Sequence, residues 1–239
     1  MTLTPKLRIA VNCLAVVFVA STVQGATINL ADDFLTSGFS YGYETTLGGT
    51  FTAFGVVDTT SRPGITALLR SGAFPGVPPY VAHNSTGAPY DLGFLTLPPD
   101  TLDLHPGPNG EYTVVRFSPS VASSYSIAGL FSGLDAATTD VHILLDGVSI
   151  FAGNINGLGN TAPFSLVRTL SSSDTLDFLV GFGSNGNFNF DSTGLAGSIS
   201  TTTATVPEPG SSGLLGAGLL AITMLGTLRG SVSWIRSAC

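Results

Sequence analysis

The chain has few cysteines and few charged residues. Its only cysteines, Cys13 and Cys239, lie near opposite ends of the 239 residues, which excludes a disulfide framework and a four-cysteine zinc site. Charged residues make up 10% of the chain, and the formal net charge of −7 excludes the basic surface that nucleic-acid binding requires. Because 44% of the residues are hydrophobic, either the whole chain is embedded in a membrane or a few segments carry the excess.

The first hydrophobic segment, residues 9–20, follows two basic residues near the start of the chain. A basic start, a short apolar stretch and then small residues are typical of a secretory signal peptide. This pattern predicts a signal peptide over residues 1–25, cleaved between Gly25 and Ala26. An uncleaved anchor is the alternative.

The second hydrophobic segment, residues 211–228, contains no charged residue. As a helix its 18 residues would be about 27 Å long, which nearly spans a bilayer core of about 30 Å. Arg229 and Arg236 follow it, and basic residues in this position hold a terminus in the cytoplasm. We therefore predict a transmembrane helix over 211–228, a cytoplasmic basic tail over 229–239, and export of the residues between the two hydrophobic segments. A helix in a soluble core is the alternative.

The residues ahead of this helix, 201–210, are polar and contain two prolines. A threonine-rich spacer leads to Val206, Pro207, Glu208 and Pro209. Two prolines within three residues exclude the start of a helix here. We expect extended chain that a processing enzyme can bind.

The order Pro-Glu-Pro, apolar helix, arginine resembles the PEP-CTERM protein-sorting signal over residues 206–229. The resemblance implies recognition by an exosortase, a membrane cysteine protease-transferase of Gram-negative bacteria. It also implies secretion through the inner membrane, transient anchoring, cleavage near the motif and release to the cell surface or extracellular polymer. Such signals usually end in a tight arginine cluster, whereas here a longer tail, SVSWIRSAC, carries spread arginines. A plain C-terminal anchor that is never cut is the alternative.

The predicted exported domain, residues 26–200, has four arginines, no lysine and 14 acidic residues, which leaves a formal charge of −10. An acidic domain without cysteine suits the cell exterior. Apolar residues alternate with polar or small ones over 124–131 and 175–180, which predicts strands with one buried face. Short strands separated by Gly, Asn, Asp and Pro predict an all-β, antiparallel, jelly-roll-like β-sandwich. A closed barrel is the alternative.

Two hairpins are predicted in this domain. Asp146-Gly147 favours a type I′ turn, and the hydrophobic pattern around it fixes the register. The predicted pairs are Leu145 with Val148, Ile143 with Ile150 and Val141 with Ala152 on one face, and Leu144 with Ser149 and His142 with Phe151 on the other. A second hairpin is predicted to turn at residues 184–187, between strands 176–182 and 188–190.

The first part of the domain is less regular. We predict short strands around residues 50–57 and 92–97, and a surface loop over 104–110 that precedes a strand over 111–117. From residue 104 to 199 the chain resembles a β-sandwich domain that recurs among exported PEP-CTERM proteins. The resemblance lies in LHPGPNGEYTVVRF, YSIAGLFSGLD, TTDVHILLDGV and TLDFLVGFGSNGNFNFDSTGL. It implies a fold and a context but no activity.

The sequence contains no pattern that favours an enzyme. Neither a G-x-S-x-G elbow nor an HExxH motif is present. The scattered His83, His105 and His142 are predicted to be surface or locally bonded residues. Asp174 and Asp177, three residues apart on a strand, point to opposite faces and are expected to be solvated, so they form a poor acid/base pair. A glycoside-active enzyme is the less favoured alternative.

The favoured binding hypothesis is a lectin-like module that binds extracellular polysaccharide, by analogy with other β-sandwiches. Stacking against sugar rings would fall to Tyr41, Tyr43, Tyr80 or Tyr90, and Tyr41 and Tyr43 would point to the same side of an extended strand. The alternative is that these tyrosines cover the edge of the core.

Calcium is the one cofactor that the sequence suggests. Asp32, Asp33 and Asp191 could supply carboxylate ligands if the first and last strands are neighbours. The alternative is that Asp191 only forms a turn. The main prediction remains an exported, non-catalytic cell-surface or extracellular-matrix protein, with an exosortase and the membrane as its partners.

Overall fold

The computed structural model describes residues 25–36 and 38–201. Almost all of the predicted signal peptide lies outside these residues. So do Val206, Pro207, Glu208 and Pro209, the predicted transmembrane helix and the basic tail. Within the described ranges, no helix is both long and apolar enough to cross a membrane.

The described residues contain β-strands and one short 3-10 helix, Gly183–Asn185. In chain order the strands are β1 (Thr27–Asn29), β2 (Phe39–Glu44), β3 (Thr52–Ala53), β4 (Val56–Asp58), β5 (Ile65–Leu69), β6 (Tyr80–Asn84), β7 (Tyr90–Asp91), β8 (Thr96–Leu97), β9 (Leu102–His105), β10 (Tyr112–Phe117), β11 (Ser123–Gly133), β12 (Asp140–Leu145), β13 (Val148–Asn154), β14 (Thr161–Leu170), β15 (Leu176–Gly181) and β16 (Thr193–Thr201).

The strands form two large antiparallel sheets and one small hairpin. The eight-stranded sheet has the order β14-β11-β16-β9-β6-β5-β4, with β1 also paired to β16. The six-stranded sheet has the order β13-β12-β15-β10-β2-β3, and β7 pairs with β8. The main hydrophobic core lies between the large sheets, because it contains Ile127 and Leu195 from one sheet and Val115 and Phe178 from the other. The predicted all-β antiparallel sandwich is therefore confirmed.

The hairpin at Asp146-Gly147 has the predicted turn, but the pairing of its two strands differs from the prediction farther from the turn. Both turn residues have positive φ values, 50° and 78°, as a type I′ turn requires. The pairs Leu145–Val148 and Leu144–Ser149 form as predicted, but the register shifts after Ile143. The pairs observed beyond the shift are Ile143 with Phe151, His142 with Ala152 and Val141 with Gly153.

The register shift has a packing reason. A β-bulge puts one extra residue in one strand and breaks the alternation of its side chains. Both Ile150 and Phe151 consequently pack against the main core. The ring of Phe151 stacks 6.3 Å from the ring of Phe131 and lies 5.8 Å from that of Phe164. The sequence prediction of strict alternation was wrong beyond Leu144.

The second predicted hairpin is wrong. After β15 the chain makes the short 3-10 helix and then enters β16, which belongs to the other sheet. Residues 188–190 form no strand. The residues between β15 and β16 thus cross from the six-stranded sheet to the eight-stranded sheet. There Leu195 and Ile199 of β16 pack into the main core.

Three further expectations need correction. Leu104 and His105 are buried in β9, so residues 104–110 are not a surface loop. β15 lies between β12 and β10 and is buried on both faces, so Asp177 is not solvated. Asp174 precedes β15 and accepts a hydrogen bond from the Ser171 backbone N–H at 2.9 Å. The predicted strands over 124–131 and 111–117 are confirmed.

The irregular first part of the domain forms fewer strand residues than its pattern predicts. Residues 50–57 contribute β3 and the start of β4, which belong to different large sheets. Of the strand predicted over residues 92–97, only Thr96–Leu97 forms a strand, which is β8. A smaller core on the outer face of the eight-stranded sheet includes Tyr80, Ala82, Leu95 and Leu97. The β7–β8 hairpin thus covers part of that face.

Candidate binding cleft

The larger of two adjacent clefts has a volume of about 900 Å³. Its walls come from the β7–β8 hairpin, the loop after β11, the loop after β13 and Phe190. Three apolar side chains at this cleft are unusually open to solvent, namely Phe94 (52% exposed), Leu158 (74%) and Phe190 (67%). Clustered exposed apolar side chains mark interaction sites more often than single ones do.

The smaller cleft, of about 300 Å³, shares Phe94, Asp135 and Phe190 with the larger one. Its walls also include Tyr80 and Ser192. The two phenyl rings and the Asp135 carboxylate therefore stand at the border between the clefts. A ligand that fills both clefts would contact all three side chains.

Polar contacts fix the segment that carries Phe190. The Asn185 amide donates a hydrogen bond to the Thr138 hydroxyl. Asp191 accepts a 2.9 Å hydrogen bond from the Thr138 backbone N–H. Between them, Phe190 has a φ of 60°, a left-handed conformation that costs a bulky residue about 1–3 kcal/mol. The fold thus holds this ring at the cleft in a strained backbone conformation.

A group of acidic and hydroxyl side chains lies behind the smaller cleft. Asp103, in the middle of β9, is 0% exposed, and neither of its carboxylate oxygens has a short, well-aligned hydrogen bond. Burial and the nearby Asp135 raise the pKa of Asp103 to about 8. The hydroxyls of Tyr80 and Ser192 face this carboxyl and oppose the rise in its pKa only weakly. The Asp103 carboxyl consequently favours its protonated form more than an ordinary aspartate does.

Burial also shifts the pKa values of Asp135 and Asp191. Burial, and more weakly the charge of Asp191, raises the pKa of Asp135 to about 6. One Asp135 oxygen accepts a 3.4 Å hydrogen bond from the Ser192 backbone N–H, and the other is buried without a partner. Burial likewise raises the pKa of Asp191, whose second oxygen is also buried and unpaired. Near neutral pH, Asp135 is mostly ionised and can accept hydrogen bonds.

A second buried acidic group lies on the six-stranded sheet, and there the acids have a cationic partner. Arg116 on β10 donates two 2.7 Å hydrogen bonds to Asp177 on β15. Its guanidinium also lies 3.6 Å from Glu44 and 4.3 Å from the centre of the Phe51 ring. The hydrogen bonds to Asp177 raise the pKa of Arg116. In this group, which we call the Arg116 cluster, the Asp177 carboxylate is paired directly with a cation.

The four tyrosines singled out in the sequence do not form an exposed platform. Tyr41 and Tyr80 are only 5% and 3% exposed, so neither presents an open ring face. Tyr41 and Tyr43 do point to the same side, since both pack against the main core. Tyr43 and Tyr90 are half-buried, and Tyr90, in β7, packs against the smaller core. A sugar-binding role for these tyrosines stays a prediction, and the open rings at the cleft belong to phenylalanines.

The suggested calcium ligands lie apart. β1 and β16 are neighbours as expected, with Asn29 opposite Ser198. Asp33 accepts a 2.8 Å hydrogen bond from the Asn29 backbone N–H, whereas Asp191 precedes the other end of β16, about 23 Å away along an extended strand. Among residues 25–36 and 38–201, no three or more His, Cys, Asp or Glu side chains are grouped to hold a metal ion. Asp32, Asp33 and Asp191 therefore do not fit a shared calcium site.

Each histidine bonds locally, as expected. A ring nitrogen of His83 lies 3.3 Å from the Pro99 carbonyl oxygen. Nδ1 of His105 lies 3.0 Å from the Pro106 carbonyl oxygen. Nε2 of His142 lies 3.0 Å from Oδ2 of Asp140. Burial lowers the pKa of both His83 and His105, so these two rings are neutral at neutral pH and serve the structure.

Sequence reasoning missed Phe94, Asp103, Asp135 and Phe190. One signal was available for Asp103, because it is an acidic residue between Leu102 and Leu104 in an otherwise apolar strand. The others lie in loops, where a side chain's exposure depends on the packing of distant segments. Their position at the cleft could not be inferred from local pattern.

The fold places the chain in the broad class of antiparallel β-sandwich proteins. No protein-family model and no curated protein sequence matches it.

Several solved structures share part of the fold at low similarity. One is CBM51-2 in complex with GlcNAc and INT domains from Clostridium perfringens ZmpB, with 12% identity, a TM-score of 0.34, and coverage of 44% of this chain and 22% of that one. Another is CBM51 from Clostridium perfringens GH95 in complex with methyl-galactose, with 9% identity, a TM-score of 0.38, and coverage of 74% and 100%. A third is carbohydrate-binding module CBM36 in complex with calcium and xylotriose, with 16% identity, a TM-score of 0.27, and coverage of 42% and 79%. These similarities are too low to assign a ligand to this chain.

Proposed function

We propose that this chain is an exported, non-catalytic protein that binds carbohydrate in the paired clefts. The observation that carries the proposal is the placement of two exposed phenyl rings, Phe94 and Phe190, beside the Asp135 carboxylate. Sugar rings present C–H groups that pack on aromatic faces and hydroxyls that donate to carboxylates. The combination of apolar walls with a few polar groups is typical of ligand sites.

The arrangement of the acids favours binding over catalysis. Hydrolysis of a glycosidic bond requires two carboxyl groups that both reach the bond. Asp103 does not line either cleft, so it cannot act directly on a ligand there. Asp91 lines the larger cleft, but its carboxylate accepts a 2.7 Å hydrogen bond from the Gly93 backbone N–H and stabilises the β7–β8 turn. Asp135 remains as an acceptor that can orient a sugar hydroxyl.

A glycan array tests this proposal. The full chain would be purified in a detergent without a sugar headgroup, since a glycosidic detergent would compete for the clefts. We expect Phe190→Ala to weaken the best glycan signal by about tenfold, because it removes a stacking surface. Val167→Ala is the matched control, since Val167 is 60% exposed on β14 and lines neither cleft. Equal binding by both variants, or no glycan bound by the unmodified chain, would refute carbohydrate binding at this site.

We also propose delivery by the predicted signal peptide and PEP-CTERM-like signal, with surface or extracellular release after exosortase cleavage. The support is the order of sequence features: basic start, apolar segment, acidic domain, Pro-Glu-Pro, second apolar segment and arginines. Changing Pro207, Glu208 and Pro209 to alanine should leave the protein in the membrane fraction. Unchanged release of that triple variant into the medium would contradict the sorting signal.

The finer topology is part of the same proposal. We propose a jelly-roll-like sandwich, supported by the antiparallel pairing of the first and last described strands, β1 and β16.

A further inference from the structure

The walls of the paired clefts carry acidic side chains and no basic ones among the described residues. Asp91 lines the larger cleft and Asp135 lines both, whereas neither wall includes a lysine or an arginine. The other titratable side chains in the walls are Tyr80 and His105, at the smaller cleft. Burial raises the pKa of Tyr80 and lowers the pKa of His105, so both are uncharged at neutral pH. The charge that these walls present to a ligand is therefore negative.

The four arginines of the described ranges do not balance this charge. Arg70 is paired with Glu111 at 2.6 Å, and Arg116 is paired with Asp177 at 2.7 Å. The other two, in the β4–β5 loop and on the edge strand β14, line neither cleft. Since the same part of the chain has 14 acidic residues, the wider field around the clefts is also negative.

Asp135 lies where a ligand is most sensitive to its charge. It stands beside Phe94 and Phe190 at the border between the clefts. Backbone N–H groups such as that of Ser192 hold its carboxylate, but none of the described ion pairs includes it. Two like charges about 4 Å apart weaken binding about fivefold in bulk water, and more where protein displaces the water. A sugar acid placed there would bind more weakly than the same sugar without its charge.

We infer that the paired clefts select glycans built from uncharged sugars and reject those that carry carboxylate or sulfate groups. This inference rests on carbohydrate binding at the clefts and names the class of glycan that they take. Asp135 sets the selectivity, and Asp91 adds to it along the larger cleft. Neutral sugars meet no such repulsion, because their hydroxyls donate hydrogen bonds to carboxylates.

Calorimetric titration with two forms of one glycan tests this selectivity. The hexose glycan that binds best on the array is oxidised at its C6 hydroxymethyl groups to carboxylates, and part of the product is converted to the methyl ester, which lacks the charge. The full chain is kept near neutral pH in an uncharged detergent without a sugar headgroup. At low salt we expect the ester to bind about tenfold more tightly than the acid. This preference should shrink in about 0.5 M sodium chloride, where screening shortens the reach of a charge to about 4 Å.

Two variants that each remove one negative charge locate the effect. Asp135→Asn should reduce the preference for the ester over the acid by about threefold or more, because it removes the charge at the border of the clefts. Asp146→Asn is the matched control, since Asp146 is exposed in the β12–β13 turn and lines neither cleft. An Asn-Gly pair also favours the type I′ turn, so this variant should keep its fold and the full preference.

The possible failures are distinguishable. An ester that binds no more tightly than the acid, a preference that salt does not reduce, or a best array ligand that is itself acidic would overturn the selectivity while carbohydrate binding stands. Equal preferences in the two variants would overturn the role of Asp135. If Asp135→Asn does not fold, the salt series on the unmodified chain decides. Failure of every glycan to bind would overturn both proposals.

Discussion

Two buried aspartates, one on each large sheet, have opposite surroundings. Asp177 on β15 and Asp103 on β9 are both 0% exposed and both lie within a strand. Asp177 receives two hydrogen bonds from Arg116. Asp103 faces a second acid, and its contacts with the hydroxyls of Tyr80 and Ser192 do not offset its burial.

The difference separates a charge that the protein compensates internally from one that it does not. Arg116 is held in place by Asp177, Glu44 and the ring of Phe51, so the Asp177 carboxylate has a cationic partner inside the protein. Asp103 has no such partner among the described ion pairs. Residues kept in an unfavourable state by the surrounding fold are candidates for function, whereas the Arg116 cluster is explained by stability alone.

The largest expected effect comes from breaking the Arg116 cluster. Arg116→Met should lower the free energy of unfolding by about 3–5 kcal/mol, because it leaves the buried carboxylates of Asp177 and Glu44 without a cation. Chemical denaturation measures this change. Arg168→Met is the control: the Arg168 guanidinium bonds only the backbone carbonyl of Val167 within the described contacts, and its loss should cost about 0.5 kcal/mol or less. Similar losses in the two variants would show that Asp177 and Glu44 do not depend on Arg116.

A smaller effect is expected at the uncompensated group, and it depends on pH. Burial raises the pKa of folded Asp103 to about 8, above its unfolded value of about 4. Between these pH values the folded state holds more protons than the unfolded state, so the free energy of unfolding falls as the pH rises. The amide side chain that Asp103→Asn introduces cannot titrate. The stability difference should therefore move in favour of this variant as the pH rises from 4 to 8.

Comparing Asp103→Asn with the unmodified chain at each pH isolates the titration of Asp103. Asp135, Asp191 and Tyr80 face the same region and remain in both chains, so their direct contributions largely cancel. A difference that stays constant across the pH range would show that Asp103 has no raised pKa in the folded state.

The smallest expected effect concerns Asp140, an acid that several hydrogen-bond donors hold. Burial favours the protonated form of Asp140, but hydrogen bonds from His142, Tyr112 and the Gly183 N–H outweigh it and lower the Asp140 pKa. Tyr112→Phe removes the 2.8 Å hydrogen bond from the Tyr112 hydroxyl to Asp140 and should cost about 1 kcal/mol. Chemical denaturation measures it. A loss as large as that of Arg116→Met would mean that neutral donors matter as much as a cation does.

The sequence predicted the sandwich where the chain alternates strictly. Strands β11 and β15 follow from period-two patterns, and Asp146-Gly147 fixed the β12–β13 turn. The bulge at Ile150 was not predictable, because two consecutive apolar residues fit either face of a strand. The crossing after β15 was missed for a different reason: turn residues indicate that the chain bends but not which sheet it joins next.

The candidate site was less predictable than the fold. Tyr80, Asp103, Asp135 and Ser192 come from segments far apart in the chain, and only the strand order β16-β9-β6 brings most of them together. Aromatic residues were considered for stacking by type, so tyrosines were chosen over phenylalanines. Solvent exposure, which distinguishes Phe190 from Tyr80, is a property of tertiary packing.

The pairing of β1 with β16 has a consequence for how the clefts are presented. The Thr201 N–H donates a 3.0 Å hydrogen bond to the Ala26 carbonyl oxygen, so both ends of the described chain leave the sandwich side by side. Ser192, at the smaller cleft, lies at the opposite end of β16, about 30 Å away along the strand. If the protein is tethered through either end, β16 acts as a spacer that holds the clefts clear of the attachment point.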